Sequence, residues 1–317
     1  MTTSAPTRRT RIFILGLRRS GTTIFWESFR RDPRLRCYNE PWNPVLRELP
    51  GEIPNQSRRE VIELFRRDPA AFWRRFAPIE LIEELQSDFS ERQVAYLRSL
   101  IDAFDGVCID ETRCHFKLAA LREIEPEATI VHLFRTPAAF ATSHLIPTGS
   151  GGFRTRRLVR AAARLGFFTR RDRFHWWGLQ QLIGSHPESL FGLRLREFGM
   201  DPEDVYPLPA AGRLLAFWRL HYEVMEKDGP RLFGTRFLSV PFERFCQSPK
   251  SVVEKVYAAA GFEPPALDLS RVRPAATAYR PSDRRWRELF ARVGLPPAWL
   301  PGAGLPGETY AGVTSGW

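Results

Sequence analysis

The segment GLRRSGTT, residues 16–23, has the residue types and the spacing of a loop that binds phosphate. Gly16 and Gly21 match the two glycines of the nucleotide-binding pattern GxxxxGK[ST], between an apolar run and a helical pattern. Backbone N–H groups at such a turn, together with the positive end of a helix dipole, attract anions. A glycine turn that only joins a strand to a helix is the alternative. The candidate phosphate ligands are Arg18, Arg19, Ser20, Gly21, Thr22 and Thr23.

Thr22 stands where the nucleotide-binding pattern has its lysine. In ATPases and kinases that lysine contacts the β- and γ-phosphates of the nucleotide. The sequence therefore disfavours a reaction of that kind. What remains is a phosphate loop that carries arginines and hydroxyl groups.

A second anion site is predicted at the end of the apolar run ATIVHLF. Arg135 follows this run directly, and Ser143 lies eight residues further along, in a helix predicted to begin at Pro137. Open α/β sheets bind their ligands at the carboxyl ends of their strands. Two such sites predict a ligand with two separated anionic groups.

Apolar runs alternate with helical patterns along the chain, which predicts an α/β fold with a largely parallel central sheet and helices on both faces. The predicted strands are RIFILG, GVCID, ATIVHLF and FLSVPF, with LRCYNEP as a short strand or turn. The predicted helices include IFWESFRRD, ending near Arg31, then RCHFKLAALREI, AAFATSHLI and SPKSVVEKVYAAAGF. We expect a single domain, 1–317, with a disordered arm at 1–9 and helical insertions at 44–107 and 147–232.

Charge and composition narrow the class of protein. The net charge is +11, and only four of the 47 basic residues are lysines. Arginine binds phosphate and carboxylate in a fork, so a polyanionic ligand fits, whereas a basic solvated surface explains the same composition equally well. No nucleic-acid-binding motif accompanies the charge, and we expect no specific nucleic-acid partner.

The four cysteines are widely spaced and form no CxxC pair, which argues against a disulfide framework and against a zinc site. The apolar run near the start is too short for a secretion signal, and no run approaches the length of a membrane span. We therefore expect a cytoplasmic protein that needs no metal.

Several of these segments together resemble a known family, the sulfotransferases that use 3′-phosphoadenosine 5′-phosphosulfate. GLRRSGTT is similar to their 5′-phosphosulfate loop, usually PRSGTT or PKSGTT, and LFRTPAAFATS is similar to their 3′-phosphate motif, RDPxxxxxS. SVPFERFCQSPKSVVEKVYAAAGFEP resembles a later stretch, YEDL…P…FLGL. The resemblance spans most of residues 10–265. It is closest to the bacterial and Golgi-type branches, including the tyrosylprotein enzymes.

The resemblance implies a role for each matching residue. Arg19 would stabilise charge on the bridging and sulfuryl oxygens, and Arg135 with Ser143 would hold the 3′-phosphate. Glu40 falls where the tyrosylprotein-type enzymes carry their catalytic glutamate, and it would be the general base; a pairing of Glu40 with an arginine is the alternative. Arg18, Arg19, Ser20, Gly21, Thr22 and Thr23 would form the 5′-phosphosulfate site.

The chain departs from the family pattern at three of these positions. Arg18 replaces the usual proline, Ile24 stands where cytosolic members carry a tryptophan, and Thr136 replaces the common aspartate. The cytosolic members' catalytic histidine has no assignable counterpart; His144 is a second-choice base. Asp110 and Glu111, which end the GVCID strand, are candidates to orient Arg113 or the acceptor.

The implied reaction is in-line transfer of a sulfuryl group from 3′-phosphoadenosine 5′-phosphosulfate to an acceptor hydroxyl, without a metal. The acceptor is a small molecule, a glycan or a lipid, with a natural-product hydroxyl or a peptide tyrosine also open, and the two helical insertions would form its side of the site. The arginines of 154–173 are either a solvated helix face or a contact with an acidic acceptor or an anionic surface. The alternatives are a non-catalytic nucleotide-binding protein of the same fold and a P-loop kinase-like enzyme.

Overall fold

A computed structural model describes residues 9–51, 58–145, 182–183, 186–270, 272 and 284–300 of the chain. Two of the predictions lie largely outside these residues. The first is the disordered arm at 1–9, of which only Arg9 is described, and the second is the arginine-rich stretch 154–173.

A five-stranded parallel sheet forms the centre of the described part of the fold. The strands are β1 (Thr10–Leu15), β2 (Arg36–Asn39), β3 (Gly106–Glu111), β4 (Thr129–Phe134) and β5 (Phe237–Pro241). Their order in the sheet is β2-β3-β1-β4-β5. Every residue of β1, β3 and β4 is buried, which is the reason why their sequences are continuous apolar runs rather than alternating ones. The predicted α/β fold with a parallel sheet is confirmed.

The register of the sheet aligns the carboxyl ends of its first three strands. Leu15 of β1 pairs with Glu111 of β3, and Asn39 of β2 pairs with Asp110 of β3. The residues that follow these strands therefore leave the sheet at the same edge. At the centre of this part of the sheet, Ile109 lies between Phe13 and Tyr38, and all three are buried.

Helices account for most of the remaining described residues, together with short 3-10 turns at Pro44–Glu48, Ile82–Leu85, His115–Lys117, Gly234–Arg236 and Pro297–Trp299. The helices are α1 (Thr22–Arg30), α2 (Arg59–Arg67), α3 (Pro69–Arg75), α4 (Glu91–Ile101), α5 (Leu118–Ile124), α6 (Pro137–Leu145), α7 (Leu190–Glu197), α8 (Pro202–Val205), α9 (Ala210–Phe233), α10 (Phe242–Gln247), α11 (Pro249–Ala259) and α12 (Arg284–Arg292).

Helix α1 ends at Arg30, close to the predicted end near Arg31. Two other predicted boundaries differ from the structure. The stretch RCHFKLAALREI was predicted as one helix, but it is a 3-10 turn followed by α5, and the buried Lys117 at the junction donates from Nζ to the carbonyl oxygens of Gln86 and Asp88. Strand β5 stops at Pro241 because Phe242 already begins α10.

The chain divides into two compact units. The first is formed by the described residues of Met1–Phe134, Val224–Val240 and Phe245–Arg273 and contains β1–β4 and most of β5. The second is formed by the described residues of Arg135–Glu223, Pro241–Arg244 and Pro274–Trp317. The single domain over 1–317 stays a prediction. Within the predicted insertion at 44–107, the described residues up to Asp105 are helices, turns and loops.

Truncating the side chain at the centre of the sheet tests this packing. We expect Ile109→Ala to lower the free energy of unfolding by about 2–5 kcal/mol, because the fully buried side chain would leave a cavity between Phe13 and Tyr38. Ile82→Ala, at a side chain that is 52% exposed, should change it by less than about 0.5 kcal/mol. Urea unfolding measures both, and similar losses for the two variants would contradict the packing described.

Candidate functional site

The loop between β1 and α1 has a backbone that only particular residues tolerate. A Cβ on Gly16 would lie 2.4 Å from the carbonyl oxygen of Leu133 and 2.6 Å from Cγ2 of Thr22, so the close approach there requires glycine. Gly21 has φ 89°, in the left-handed region that favours glycine. Arg19 has φ 72°, which is strained for a residue with a Cβ. Strain of this kind is concentrated at binding and catalytic sites.

The same loop has the donors of an anion site. Gly21 is the N-cap of α1 and provides no side-chain hydrogen bond to the first turn. Backbone N–H groups at such a helix start are suited to bind an anion. Ser20 is 1% exposed, and within the described residues its hydroxyl has no hydrogen-bond partner. A buried hydroxyl without a partner is costly in a protein unless a ligand satisfies it.

The two loop arginines have different surroundings. Both terminal nitrogens of the half-buried Arg18 donate to the carboxylate of Glu84, which is itself buried. The carboxylate therefore occupies the forked end of the Arg18 side chain. Arg19, the next residue, is exposed. Of the two, Arg19 has its side chain at the surface of the loop.

Glu40 follows β2 directly, and hydrogen bonds fix both its backbone and its side chain. Its N–H donates to the carbonyl oxygen of Asp110 over 2.7 Å, and its φ of 43° is again in the left-handed region. Its Oε2 accepts hydrogen bonds from Arg58 and Asn43 and lies 3.7 Å from a terminal nitrogen of Arg113. Glu40 is therefore paired with arginines, and its role as the general base stays a prediction.

These arginines determine the protonation state of Glu40. Burial alone would raise the pKa of the carboxyl group, but the charges of Arg113, Arg58 and Arg18 outweigh it and lower the pKa from 4.5 to about 2. Glu40 is thus a carboxylate at neutral pH.

Arg113 joins Glu40 to the loop through a buried ionic cluster. Its guanidinium lies 3.1 Å from Oε1 of Glu111 and 3.3 Å from Oε1 of Glu84, the carboxylate that also binds Arg18. Burial opposes its charge, but Glu111, Glu40 and Glu84 together raise the pKa of Arg113. We call this set the ionic cluster; its members are Arg18, Glu40, Arg58, Glu84, Glu111 and Arg113.

Asp110 lies beside the ionic cluster. Its carboxyl group is fully buried, and this burial, with the charges of Glu40 and Glu111, raises the pKa of Asp110 well above its usual range. Asn39 Nδ2 donates to its Oδ2 over 2.5 Å, and the Thr22 hydroxyl lies next to it. A further buried negative charge is therefore disfavoured at this edge of the sheet.

The predicted second anion site lies in the second unit. Arg135 comes directly after β4, its side chain is 21% exposed, and its Nε has no hydrogen-bond partner among the described residues. Ser143 is on α6 and donates from Oγ to the carbonyl oxygen of Phe140 over 2.7 Å. The structure places the loop and Glu40 in the first unit, and Arg135 and Ser143 in the second.

The other candidate side chains are buried. His144, the second-choice base, is 3% exposed, and its Nδ1 lies 3.1 Å from the Phe140 carbonyl oxygen. All four cysteines are buried and belong to no disulfide. In the described part of the chain, no group of three or more His, Cys, Asp or Glu side chains could hold a metal ion. No helix within the described ranges is long and apolar enough to cross a membrane.

Two members of the ionic cluster, Glu84 and Arg58, were not predicted from the sequence. Glu84 lies in a 3-10 turn and Arg58 precedes α2, and neither belongs to a recognisable motif. Glu111 accepts a hydrogen bond from Arg113, as one of the two predicted roles requires, and its other predicted role, toward the acceptor, stays a prediction. The signal in the sequence was the position of Glu111 at the end of a buried strand, two residues before Arg113.

Comparison with known proteins identifies one family. A model of the sulfotransferase family matches residues 11–177 of the 317-residue chain. No protein of curated function matches the chain significantly.

The chain is also similar to several solved sulfotransferase structures. STF1 from Mycobacterium tuberculosis H37Rv has a TM-score of 0.46 and 14% identity, over 90% of this chain and 77% of that one. The sulfotransferase domain from the curacin biosynthetic pathway has a TM-score of 0.46 and 14% identity, over 92% and 99%. A sulfotransferase from Alicyclobacillus acidocaldarius has a TM-score of 0.40 and 15% identity, over 92% and 98%.

The lowered pKa of Glu40 predicts how stability depends on pH. Because the folded-state pKa is about 2 instead of 4.5, ionised Glu40 stabilises the fold fully above pH 4.5 and loses this contribution as the pH falls toward 2. Over that window, we expect the free energy of unfolding of the wild type to fall more steeply than that of Glu40→Gln. Urea unfolding at a series of pH values measures the difference. Glu63→Gln, which removes an ion-pair partner of Arg59, is the control, and parallel curves for wild type and Glu40→Gln would contradict the prediction.

Proposed function

This chain belongs to the sulfotransferase family, and from that premise we propose that it transfers the sulfuryl group of 3′-phosphoadenosine 5′-phosphosulfate to an acceptor hydroxyl. The single observation that carries the proposal is the loop at residues 16–23. Its buried Ser20 hydroxyl has no hydrogen-bond partner in the described part of the chain, and the loop leads into the start of α1, where the N-cap Gly21 provides no side-chain hydrogen bond. A phosphate or phosphosulfate group would satisfy these donors. The loop without its lysine fits the 5′-phosphosulfate better than it fits a triphosphate with magnesium.

Ser20, Gly21, Thr22 and Thr23 are assigned to the 5′-phosphosulfate, through backbone N–H groups and hydroxyls. Arg135 and Ser143 are assigned to the 3′-phosphate. Among the residues that the structure describes, the Nε of Arg135 has no hydrogen-bond acceptor; this supports the assignment, because a buried guanidinium nitrogen without an acceptor fits an anionic ligand. We assign no metal to the reaction.

The structure supports different roles for the two loop arginines. Arg19 is exposed on a strained backbone, and we assign it to the bridging and sulfuryl oxygens, where negative charge develops during transfer. Arg18 is bound at both terminal nitrogens by Glu84. We therefore assign Arg18 to the 5′-phosphosulfate site through its charge and through its hold on the loop.

Glu40 is assigned as the general base. A carboxylate with a pKa of about 2 is always ionised at neutral pH, but it is a weak base toward a neutral alcohol. In a loose transition state, however, the acceptor oxygen becomes strongly acidic only as its bond to sulfur forms. We therefore place the proton transfer to Glu40 late in the reaction, when a weak base is sufficient.

The acceptor class is a hydroxyl of a sugar, a lipid or a natural product, and the proposed location is the cytoplasm. The helical insertions, which would provide the acceptor side of the site, lie in 44–107 and 147–232. Contact between an anionic surface and the arginines of 154–173 is also a proposal, on residues outside the described part of the chain.

Removing the unpartnered hydroxyl of Ser20 tests the nucleotide site. We expect 3′,5′-adenosine bisphosphate at ~100 times its dissociation constant to stabilise the wild type by about 2.7 kcal/mol in a thermal-shift titration. Ser20→Ala should leave the ligand-free protein as stable or more stable, since it removes a buried unsatisfied group, and should weaken bisphosphate binding about tenfold.

Ser99→Ala is the matched control, because the Ser99 hydroxyl already donates to the Tyr96 carbonyl oxygen over 2.7 Å. It should lower the stability slightly and leave the affinity unchanged. Stabilisation by magnesium–ATP alone would favour the kinase-like alternative. No stabilisation by either nucleotide would overturn the proposed function.

Turnover separates the enzyme from a non-catalytic nucleotide-binding protein. The wild type is incubated with 3′-phosphoadenosine 5′-phosphosulfate and with 4-nitrophenol, a monosaccharide, a glycolipid or a tyrosine peptide, and bisphosphate release is measured by chromatography. We expect Glu40→Gln to lower the rate about 10²–10⁴-fold with little change in bisphosphate affinity. Glu63→Gln, another carboxylate paired with arginines, should retain the rate. Equal rates for Glu40→Gln and wild type would show that Glu40 is not the base.

A further inference from the structure

Two side chains hold the peptide bond between Arg135 and Thr136. The indole Nε1 of Trp218 donates to the carbonyl oxygen of Arg135 over 2.8 Å. The N–H of Thr136 donates to the Glu243 carboxylate, over 3.1 Å to Oε1 and 3.4 Å to Oε2. Both polar groups of a single peptide bond are thus bound by side chains, one from α9 and one from α10. We call Trp218 and Glu243 the peptide clamp.

The surroundings of both clamp residues restrict their movement. Trp218 is 1% exposed, its ring stacks on Tyr222 with centroids 4.8 Å apart, and Trp299 packs edge-on at 5.2 Å. Glu243 also accepts a hydrogen bond from the Thr136 hydroxyl over 3.0 Å. A peptide held by two such groups has little freedom to rotate, and the direction in which Arg135 leaves the backbone is fixed accordingly.

The clamp orients Arg135 without occupying its hydrogen-bonding nitrogens. Arg135 Nε lies 3.9 Å from Glu243 Oε1, beyond hydrogen-bond distance, and its Cζ lies 5.7 Å from the centroid of the Phe242 ring. The carboxylate of Glu243 is directed at Thr136 instead. Glu243 also lies at the start of α6, where a negative charge is favourable.

We propose that Trp218 and Glu243 are positioning residues that orient Arg135 toward a phosphate group. The inference rests on the proposed function, because the phosphate is the 3′-phosphate of the nucleotide. Thr136 stands where the motif that this chain resembles has an aspartate, and Glu243 delivers a carboxylate to that same residue from a distant part of the chain. Specificity for a 3′-phosphorylated nucleotide then depends on residues that do not touch the ligand.

The experiment compares two nucleotides that differ in the 3′-phosphate. Isothermal titration calorimetry gives the dissociation constants for 3′,5′-adenosine bisphosphate and 5′-AMP. The ratio of the 5′-AMP constant to the bisphosphate constant measures the contribution of the 3′-phosphate to binding. We expect Glu243→Ala and Trp218→Phe each to lower the ratio about tenfold, with 5′-AMP affinity unchanged. Glu243→Gln should retain most of the ratio, because its amide oxygen still accepts from Thr136. Arg135→Ala gives the ratio when the phosphate contact is lost.

Glu197→Ala is the control, because Glu197 is a carboxylate of the second unit in an exposed ion pair with Arg194. Trp218→Phe keeps an aromatic ring against Tyr222 and Trp299, so it tests the clamp if Glu243→Ala does not fold. A wild-type ratio near one would overturn the nucleotide site and the clamp with it. Two results would overturn the clamp alone. The first is a large wild-type ratio that the clamp variants leave unchanged or raise, and the second is an equal loss of affinity for both nucleotides in those variants.

Discussion

The buried guanidinium of Arg113 is the interaction on which the first unit's site depends. It lies within ion-pair distance of Glu40, Glu84 and Glu111, which come from three different segments of the chain. Charges removed from water destabilise a protein unless they are paired with good geometry, and the loss of one partner leaves the others uncompensated. The phosphate loop, the residue after β2 and the end of β3 are thereby linked into one electrostatic unit through Arg113 and Glu84.

The parallel sheet explains why these charges meet. The carboxyl ends of β1, β2 and β3 are aligned in register, so the loop, Glu40 and the Asp110–Glu111 pair emerge at one edge. Crowding of carboxyl groups at that edge destabilises their charged forms. Arginines compensate the charges of the glutamates, whereas burial and the neighbouring glutamates raise the pKa of Asp110. The low pKa of Glu40 is therefore a product of the fold, set by the arginines around it.

The sequence predicts the sheet and the position of the site better than it predicts how the site is assembled. Buried parallel strands appear as apolar runs, and the residues that follow them, such as Glu40 and Arg135, are thereby placed at strand ends. The partners of those residues are not predictable in this way. Glu84 and Glu243 reach their arginines from segments far away in sequence, through contacts that only the tertiary structure defines.

Whether an arginine can bind a ligand depends on how its nearest carboxylate is oriented. Glu84 accepts hydrogen bonds from both terminal nitrogens of Arg18, and that arginine becomes part of the protein's own framework. Glu243 Oε1 lies 3.9 Å from the Nε of Arg135, but the carboxylate accepts its hydrogen bonds from Thr136, and within the described ranges that Nε has no acceptor. In a chain with a net charge of +11, the number of arginines therefore does not identify the anion-binding ones. The hydrogen bonds that each guanidinium already makes within the protein determine whether it is available to an anion.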